Sequence, residues 1–197
     1  AYVLNSSYTF FPKGTIHVVV VDPGVGSKRK AVAIKTKNYY FVGPDNGLMY
    51  PAATEDGVER VSGLDVSQSS KTFQGRDVFA PAAAKLDEGT DIATLGDKVD
   101  SLESLDVSSS DGAGEIVVIE HYGNIVTSIS AAALKEVYEV ECGNFKNNLK
   151  LYSTFNDAQE GELFVIRGSR NTLEIAIRQG SAAQAIQCKV GDKITIK

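Results

Sequence analysis

A run of four valines, Val18 to Val21, that ends in Asp22, Pro23 and a Gly-Val-Gly turn constrains the fold more than any other stretch. Residues 16–21 show no alternation of polar and apolar side chains, which predicts an interior strand covered on both faces, and Pro23 prevents its continuation. Asp22 is therefore expected at the carboxyl end of a strand, where open α/β sheets bind their ligands. The alternative is an ordinary turn carboxylate before Pro-Gly.

The chain has 197 residues, which is long enough for two small domains with separate cores. Its net charge of −5 leaves no basic footprint and argues against a nucleic-acid partner. No membrane span or signal peptide is visible, so we expect a cytoplasmic protein without a membrane partner. Cys142 and Cys188 have no metal-ligand spacing, which favours two buried free thiols over a disulfide, and with only two histidines we expect no metal.

Residues 1–100 are expected to form an α/β domain. The first four residues are typical of the last turn of a helix. Strands are predicted over residues 16–21, 31–36 and 39–42. A helix is predicted over residues 78–86, with Asp77 as its N-cap and Pro81 in its first turn.

Residues 101–114 are rich in Asp, Ser and Gly and are interpreted as a linker. Residues 115–197 are expected to form a small, mostly antiparallel β domain, either a sheet or a barrel. Strands are predicted over residues 115–119, 163–166, 173–177 and 192–196, and one short helix over residues 130–137.

Three turns in the first domain carry compact polar side chains, and we expect them to share one rim. They hold Asp22 with Arg29, Asp45 with Asn46, and Gln74 with Arg76 and Asp77. A carboxylate beside an arginine stays ionised and fixed, which suits a residue that holds a water molecule. The glycines at 24 and 26 fit neither a dinucleotide fingerprint nor a P-loop, so phosphate binding is not supported.

Six motifs then occur in order along the whole chain: Phe11-Pro12-x-Gly14-Thr15, Val21-Asp22-Pro23-Gly24-Val25-Gly26, Gly43-Pro44-Asp45-Asn46-Gly47, Phe73-x-Gly75-Arg76-Asp77-x-Phe79-Ala80-Pro81, Tyr122-Gly123-Asn124 and Leu173-Glu174-Ile175-Ala176. Together they closely resemble the S-adenosylmethionine (SAM) hydrolases, also called SAM hydroxide adenosyltransferases. That family is related to the fluorinase and chlorinase enzymes.

The resemblance implies hydrolysis of SAM to adenosine and L-methionine by attack of water or hydroxide on the ribose 5′ carbon. SAM is then the substrate, and no cofactor is expected. The resemblance also implies a homotrimer with its sites at subunit interfaces. Complete family members begin with a further strand–helix segment whose Asp holds the ribose hydroxyls, so we expect this chain to start within the first domain.

The resemblance assigns the hydrolytic residues of the family to Asp22, Arg29 and Gln74. The family usually has histidine where this chain has Gln74, and an amide cannot take up a proton near neutral pH. If that histidine acts as a base, its loss costs on the order of 100- to 10,000-fold in rate. The expectation is therefore a SAM hydrolase with reduced activity, and the alternative is a non-catalytic protein that binds SAM or adenosine.

Further substrate contacts are implied in both domains. The rim adds Asp45, Asn46, Gly75 and Arg76. In the second domain, Tyr122 is expected against adenine, Asn124 on the purine edge and Glu120 near the methionine ammonium, while Ser169 and Arg170 are expected at the methionine carboxylate. The alternatives for these residues are a core tyrosine, a turn asparagine and a solvated hairpin arginine.

Halogenation is the nearest competing chemistry. Halogenating relatives have a tyrosine at the position of Asp22 and a hydroxyl residue at the position of Gly75. Because an anionic Asp22 would repel halide, water is the expected nucleophile.

Overall fold

The computed structural model describes residues 1–105 and 109–197, and the chain divides into two compact units, Ala1–Leu105 and Asp106–Lys197. The first unit is an α/β domain and the second contains a closed β-barrel, as the sequence predicts. The predicted linker, residues 101–114, includes residues 106–108, which lie outside the described residues.

The first unit is built on a four-stranded sheet in the order β1-β3-β2-β4. Strand β3 pairs in parallel with β1 and antiparallel with β2, which in turn pairs antiparallel with β4. The strands are β1 (Ile16–Val18), β2 (Ala31–Thr36), β3 (Tyr40–Pro44) and β4 (Val58–Gly63). The α-helices are α1 (Tyr2–Ser7), α2 (Tyr50–Asp56) and α3 (Ala80–Asp87), with 3₁₀ turns at Tyr8–Phe10 and Ile92–Thr94.

Strand β2 is buried on both faces, which is why its sequence is apolar almost throughout. Val32 and Ile34 pack into a cluster with Phe41 and the alanines of α2. Ala31 and Ala33 pack into a second cluster with Phe79 and the apolar residues of α3. The sheet therefore has a core on each side.

The prediction of an interior strand over residues 16–21 is wrong. Strand β1 ends at Val18 and pairs with one neighbour, β3, so in the described first unit it is an edge strand. Val20 and Val21 are 52% and 68% exposed. A continuous apolar run indicates a strand but does not show how many of its sides are paired.

The prediction that Asp77 caps a helix is also wrong. A π-helical turn, Gly75–Phe79, precedes α3, and Asp77 lies inside it. Its carboxylate accepts a hydrogen bond from the Ser70 amide at 3.0 Å and pairs with Arg76, so it is not available to cap a helix. Pro81 does lie in the first turn of α3, as predicted.

The second unit is a closed seven-stranded barrel in the order β10-β6-β5-β11-β7-β8-β9. Every neighbouring pair is antiparallel except β8 with β9. The strands are β5 (Ala113–Ile119), β6 (Ile125–Ser130), β7 (Val137–Cys142), β8 (Phe145–Tyr152), β9 (Leu163–Arg167), β10 (Thr172–Ile177) and β11 (Lys193–Ile196). A 3₁₀ turn, Phe155–Asp157, and a short helix, α4 (Ala182–Ile186), complete the unit.

Strands β5, β9, β10 and β11 confirm the four predicted strands of this unit, but the predicted helix over residues 130–137 is wrong. The alanines at 131–133 favour a helix by propensity, yet Ala131 is buried and its amide bonds to the Asn171 carbonyl at 2.8 Å. Tertiary contacts therefore override local propensity here.

Both cysteines are free thiols; Cys142 is buried as predicted, and Cys188 is only half-buried. Within residues 1–105 and 109–197, no three His, Cys, Asp or Glu side chains come together as a metal site. No helix in the described part of the chain has the length and apolar character needed to cross a membrane.

The barrel interior yields a stability prediction. Ile175 is fully buried in the largest apolar cluster of the barrel. Ile175→Ala should lower the free energy of unfolding by about 2–5 kcal/mol, because it leaves a cavity. Val190→Ala, at a position that is 58% exposed, is the control and should change it by less than about 0.5 kcal/mol. Urea unfolding followed by circular dichroism measures both, and equal losses would contradict this placement of the core.

Candidate active site

The structure brings Asp22 and Arg29, which share one loop, together with Gln74, which lies 45 residues beyond Arg29 in the sequence. The Arg29 Nε atom donates to Asp22 Oδ1 at 3.0 Å. The Arg29 Nη2 atom donates both to Asp22 Oδ2 and to Gln74 Oε1. The guanidinium also lies over the ring of Phe79, 5.5 Å from its centroid. One arginine therefore fixes the orientation of a carboxylate and an amide at the same time.

The trio is largely removed from solvent. The side chains of Arg29 and Asp22 are 10% and 6% exposed, and Gln74 is buried. Because Arg29 donates to the Gln74 oxygen, the NH₂ group is the part of that amide left to donate to a further partner. Gln74 therefore offers the site a hydrogen-bond donor rather than a base.

The turn between Asp22 and Arg29 explains how one loop carries both members of the ion pair. The Val25 amide bonds to the Asp22 carbonyl at 3.2 Å, and the Ser27 amide bonds to the Gly24 carbonyl at 3.0 Å. Gly26 has a φ of +77°, and a Cβ atom there would lie 2.8 Å from the Lys71 carbonyl oxygen. Glycine is required at this position both by conformation and by space.

The second predicted turn, Asp45 and Asn46, binds the backbone of the protein itself. The buried Asp45 carboxylate accepts a hydrogen bond from the Glu103 amide at 2.8 Å, and its burial raises its pKa above the ordinary value. The Asn46 Nδ2 atom donates to the Val21 carbonyl at 3.1 Å, and its Oδ1 atom accepts from the Leu48 amide at 3.2 Å. Both side chains are therefore held in fixed positions beside the Asp22 loop.

Gly75 and Arg76 differ in how they face this region. A Cβ atom on Gly75 would lie 2.6 Å from a methyl group of Val20, so the π-helical turn packs tightly against the segment that leads to Asp22. The Arg76 side chain is largely exposed, with its Nε atom 2.6 Å from Asp77 Oδ1 and its guanidinium 4.9 Å from the ring centroid of Phe73. The structure thus places Gly75, but not the Arg76 head group, against the segment that leads to Asp22.

In the second unit, the turn between β5 and β6 presents Tyr122, which is 78% exposed. The Asn124 Nδ2 atom donates to Glu120 Oε2 at 3.0 Å, and the Glu120 amide bonds to the Asn124 carbonyl at 2.9 Å. Gly123, with a φ of +87°, packs so closely on Ser181 that a Cβ atom would lie 2.0 Å from the hydroxyl oxygen. The turn is therefore held against the start of α4.

A cleft of about 560 Å³ opens beside this turn. Its lining consists of Tyr122, Asn124, Phe155, Ile177, Gln179, Gly180 and Ser181. Tyr122 and Asn124 are among the substrate contacts predicted from the sequence. Phe155 was not predicted, because it lies in a 3₁₀ turn about 30 residues away with no motif around it. The cleft offers aromatic faces and an amide edge, which suits a flat polar ring.

Glu174 is a second residue that the site prediction from the sequence missed. Its side chain points outward from β10, because its neighbours Leu173 and Ile175 fill the barrel interior. The carboxyl group covers Gly168, where a Cβ atom would lie 1.8 Å from Glu174 Oε1. Burial and the nearby charge of Glu120 raise the pKa of Glu174 to about 7.

Ser169 and Arg170 lie in the hairpin between β9 and β10, beside Gly168. The Gly168 amide bonds to the Thr172 carbonyl at 2.8 Å, and Asn171 adopts a φ of +59° to close the turn. Ser169 is exposed and Arg170 is half-buried. The hairpin therefore adjoins the Glu174 carboxyl group on the outer face of the barrel.

Because the pKa of Glu174 is raised, the stability of the protein should depend on pH. The folded chain keeps this proton up to about pH 7, whereas an ordinary glutamate loses it near pH 4.5, so stability falls as the pH rises between these values. Glu174→Gln should remove that fall and stabilise the protein by ~1 kcal/mol at pH 8, after allowance for solvent screening, with little effect at pH 4.5. Thermal unfolding at both pH values measures it, and Glu160→Gln at an exposed position is the control. An equal effect at both pH values would contradict the assignment.

Comparison with known proteins agrees with the resemblance seen in the sequence. The family described as SAM hydroxide adenosyltransferase N-terminal domain matches residues 1–96, and the C-terminal domain of the same family matches residues 114–195. A Thermus thermophilus protein named (R)-S-adenosyl-L-methionine hydrolase is 34% identical over 97% of this chain and 79% of its own length. A Salinispora tropica protein of the same name is 33% identical over 100% of this chain and 79% of its own length.

The chain is also similar to a fluorinase, at lower identity, and to a solved structure. A fluorinase from an Actinoplanes species is 25% identical over 95% of this chain and 78% of its own length. The crystal structure of an uncharacterized conserved protein from Thermotoga maritima superposes with a TM-score of 0.90 at 36% identity, over 100% of this chain and 82% of that one. The chain belongs to the SAM hydroxide adenosyltransferase family.

Proposed function

We propose that this protein hydrolyses SAM to adenosine and L-methionine, with water attacking the ribose 5′ carbon. The observation that carries the proposal is the buried Asp22 carboxylate held at two points by Arg29, with Gln74 on the same guanidinium. The name (R)-S-adenosyl-L-methionine hydrolase on relatives that align with nearly the whole chain supports it.

Hydrolysis of SAM requires the protein mainly to position the attacking water. The sulfonium of SAM leaves as a neutral thioether, so no acid has to protonate it, and the reaction needs no metal or other cofactor. Asp22 accepts a hydrogen bond from the attacking water and takes its proton as the new C–O bond forms and the C–S bond breaks. The released proton then passes to solvent. Arg29 keeps the carboxylate aligned throughout.

Gln74 has a defined part in this mechanism. Its NH₂ group can donate a hydrogen bond to the water or to a ribose oxygen, but it cannot carry a proton away. Hydrolysis is therefore expected to depend on Asp22 alone for proton transfer, with a lower rate than in relatives that have histidine at this position.

The barrel cleft is proposed to bind the adenine. Tyr122 and Phe155 supply aromatic faces. Because Asn124 uses its NH₂ group on Glu120, its Oδ1 atom is left to accept a hydrogen bond, which matches the exocyclic amine of adenine. Beyond Asn124, Glu120 would meet the methionine ammonium, and Ser169 with Arg170 would meet the carboxylate.

The catalytic trio and the adenine cleft belong to different units of the chain. We propose a homotrimer in which the first unit of one protomer and the barrel of its neighbour form one site. The family resemblance supports this assembly. Sedimentation or light scattering should give three times the mass of the 21.1 kDa chain, and a stable monomer with full activity would contradict it.

A second candidate is a protein that binds SAM or adenosine without hydrolysing it, and the glutamine at position 74 is the observation that favours it. Incubation with SAM followed by chromatography distinguishes the two candidates. Adenosine and methionine in equal amounts are expected for the hydrolase. Binding of adenosine with no turnover would favour the second candidate.

Asp22→Asn tests the proposed base. The amide keeps the shape of the carboxylate but cannot take a proton, so turnover of SAM should fall by about 100-fold or more. Adenosine binding, followed by thermal shift, should stay within about twofold. Loss of turnover together with loss of adenosine binding would instead point to a disrupted fold.

Gln74→His tests whether the amide limits the rate. An imidazole can take up and release a proton near neutral pH, so turnover should rise by about tenfold or more. Gln68→His, at an exposed position of the first unit, is the matched control and should leave the rate unchanged. Unchanged turnover of Gln74→His with intact adenosine binding would contradict a proton relay at this position.

A further inference from the structure

The segment that leads to Asp22 packs against Gly75 through Val20 but has few backbone hydrogen bonds to the sheet. After β1 ends, one backbone hydrogen bond continues toward the sheet, from the Val19 amide to the Val42 carbonyl at 2.9 Å. Val20 and Val21 are more than half exposed. The position of the Asp22 carboxylate must therefore depend on neighbouring loops.

Two successive residues, Asp45 and Asn46, form hydrogen bonds at both ends of residues 22–29, which are called the catalytic loop because they carry Asp22 and Arg29. The Asp45 amide donates to the Lys30 carbonyl at 2.9 Å, and the Asn46 side chain donates to the Val21 carbonyl at 3.1 Å. Val21 precedes Asp22 and Lys30 follows Arg29. The dipeptide thus closes the loop at the residues next to each member of the ion pair.

The dipeptide is itself firmly placed. The Asp45 carboxylate is buried and bound to the Glu103 amide, and the Asn46 oxygen is bound to the Leu48 amide. Gly47 adopts a φ of +84°, and a Cβ atom there would lie 3.0 Å from Leu105 Cβ, so the turn is packed on its other side as well. Because the turn is rigid, its hydrogen bonds can fix the position of the loop that they hold.

We propose that Asn46 is a positioning residue for the Asp22–Arg29 pair, because its side-chain amide ties the Asp22 stem to the same turn that holds the Arg29 stem. Asn46 then contributes to the rate without touching the substrate. This differs from the expectation that Asn46 binds substrate, since both of its polar side-chain atoms are engaged with backbone groups. The catalytic readout of the proposal rests on the proposed hydrolysis of SAM.

The first test does not depend on activity. Asn46→Ala removes the donor to Val21, and Asn46→Asp keeps the shape and the acceptor for Leu48 but also lacks the donor. Hydrogen exchange of backbone amides should speed up by about tenfold or more in residues 20–29 of both variants, and stay unchanged in the barrel. Asn148→Ala, at an exposed position of the barrel, is the control. Unchanged exchange over residues 20–29 would overturn the proposal.

The second test is a double-mutant cycle for turnover of SAM. In the wild-type background, Asn46→Ala should lower kcat by about tenfold with KM within twofold, because a misplaced carboxylate affects the reaction more than binding. In the Asp22→Asn background, Asn46→Ala should lower kcat by less than about twofold, since the carboxylate that Asn46 positions is already lost. Independent, multiplicative losses or a change confined to KM would overturn the proposal. Faster exchange over residues 20–29 with no turnover by the wild-type protein would leave the positioning role standing and count against SAM hydrolysis alone.

Discussion

The candidate site depends on a single guanidinium. Arg29 binds Asp22 at two points, binds the Gln74 oxygen and covers the ring of Phe79, all with little exposure to solvent. These contacts join the loop after β1 to the π-helical turn before α3, in addition to the packing of Val20 against Gly75. Removing the arginine would leave a buried carboxylate without its counter-charge, which is costly in free energy.

The surrounding backbone has the shape that this ion pair requires. Gly26 turns the loop so that Asp22 and Arg29 face one another, and Gly75 leaves room for Val20 beneath the π-helical turn. Asp45 and Asn46 close the two stems of the loop. In the barrel, Gly123 and Gly168 likewise admit Ser181 and Glu174 at distances that no side chain would allow. Glycines in both units therefore make close approach possible where polar groups gather.

Much of this arrangement could be predicted from the sequence. The buried strand β2, the carboxylate after the valine run and the ordered motifs were enough for the fold class and the family, and they predicted that Asp22, Arg29 and Gln74 lie together. The edge position of β1 was not predictable, because the apolar run before Asp22 has the same composition whether one or both sides of the strand are paired with neighbours. The alanines at 131–133 show the opposite case, in which local propensity indicated a helix and tertiary contacts, among them the burial of Ala131 and its hydrogen bond to Asn171, override it. The position of Phe155 in the cleft and the raised pKa of Glu174 both depend on the barrel fold, which brings residues together that are distant in the sequence. The sequence around each residue therefore gives no signal of them.

The fate of the oxygen atom from water directly tests the proposed hydrolysis of SAM. SAM is incubated with the protein in ¹⁸O-labelled water, and the products are analysed by mass spectrometry. Attack of water on the 5′ carbon should give adenosine with one ¹⁸O in its 5′-hydroxyl group, together with an equal amount of unlabelled L-methionine. Adenosine without the label, or products of cleavage at another bond to sulfur, would contradict attack of water at the 5′ carbon.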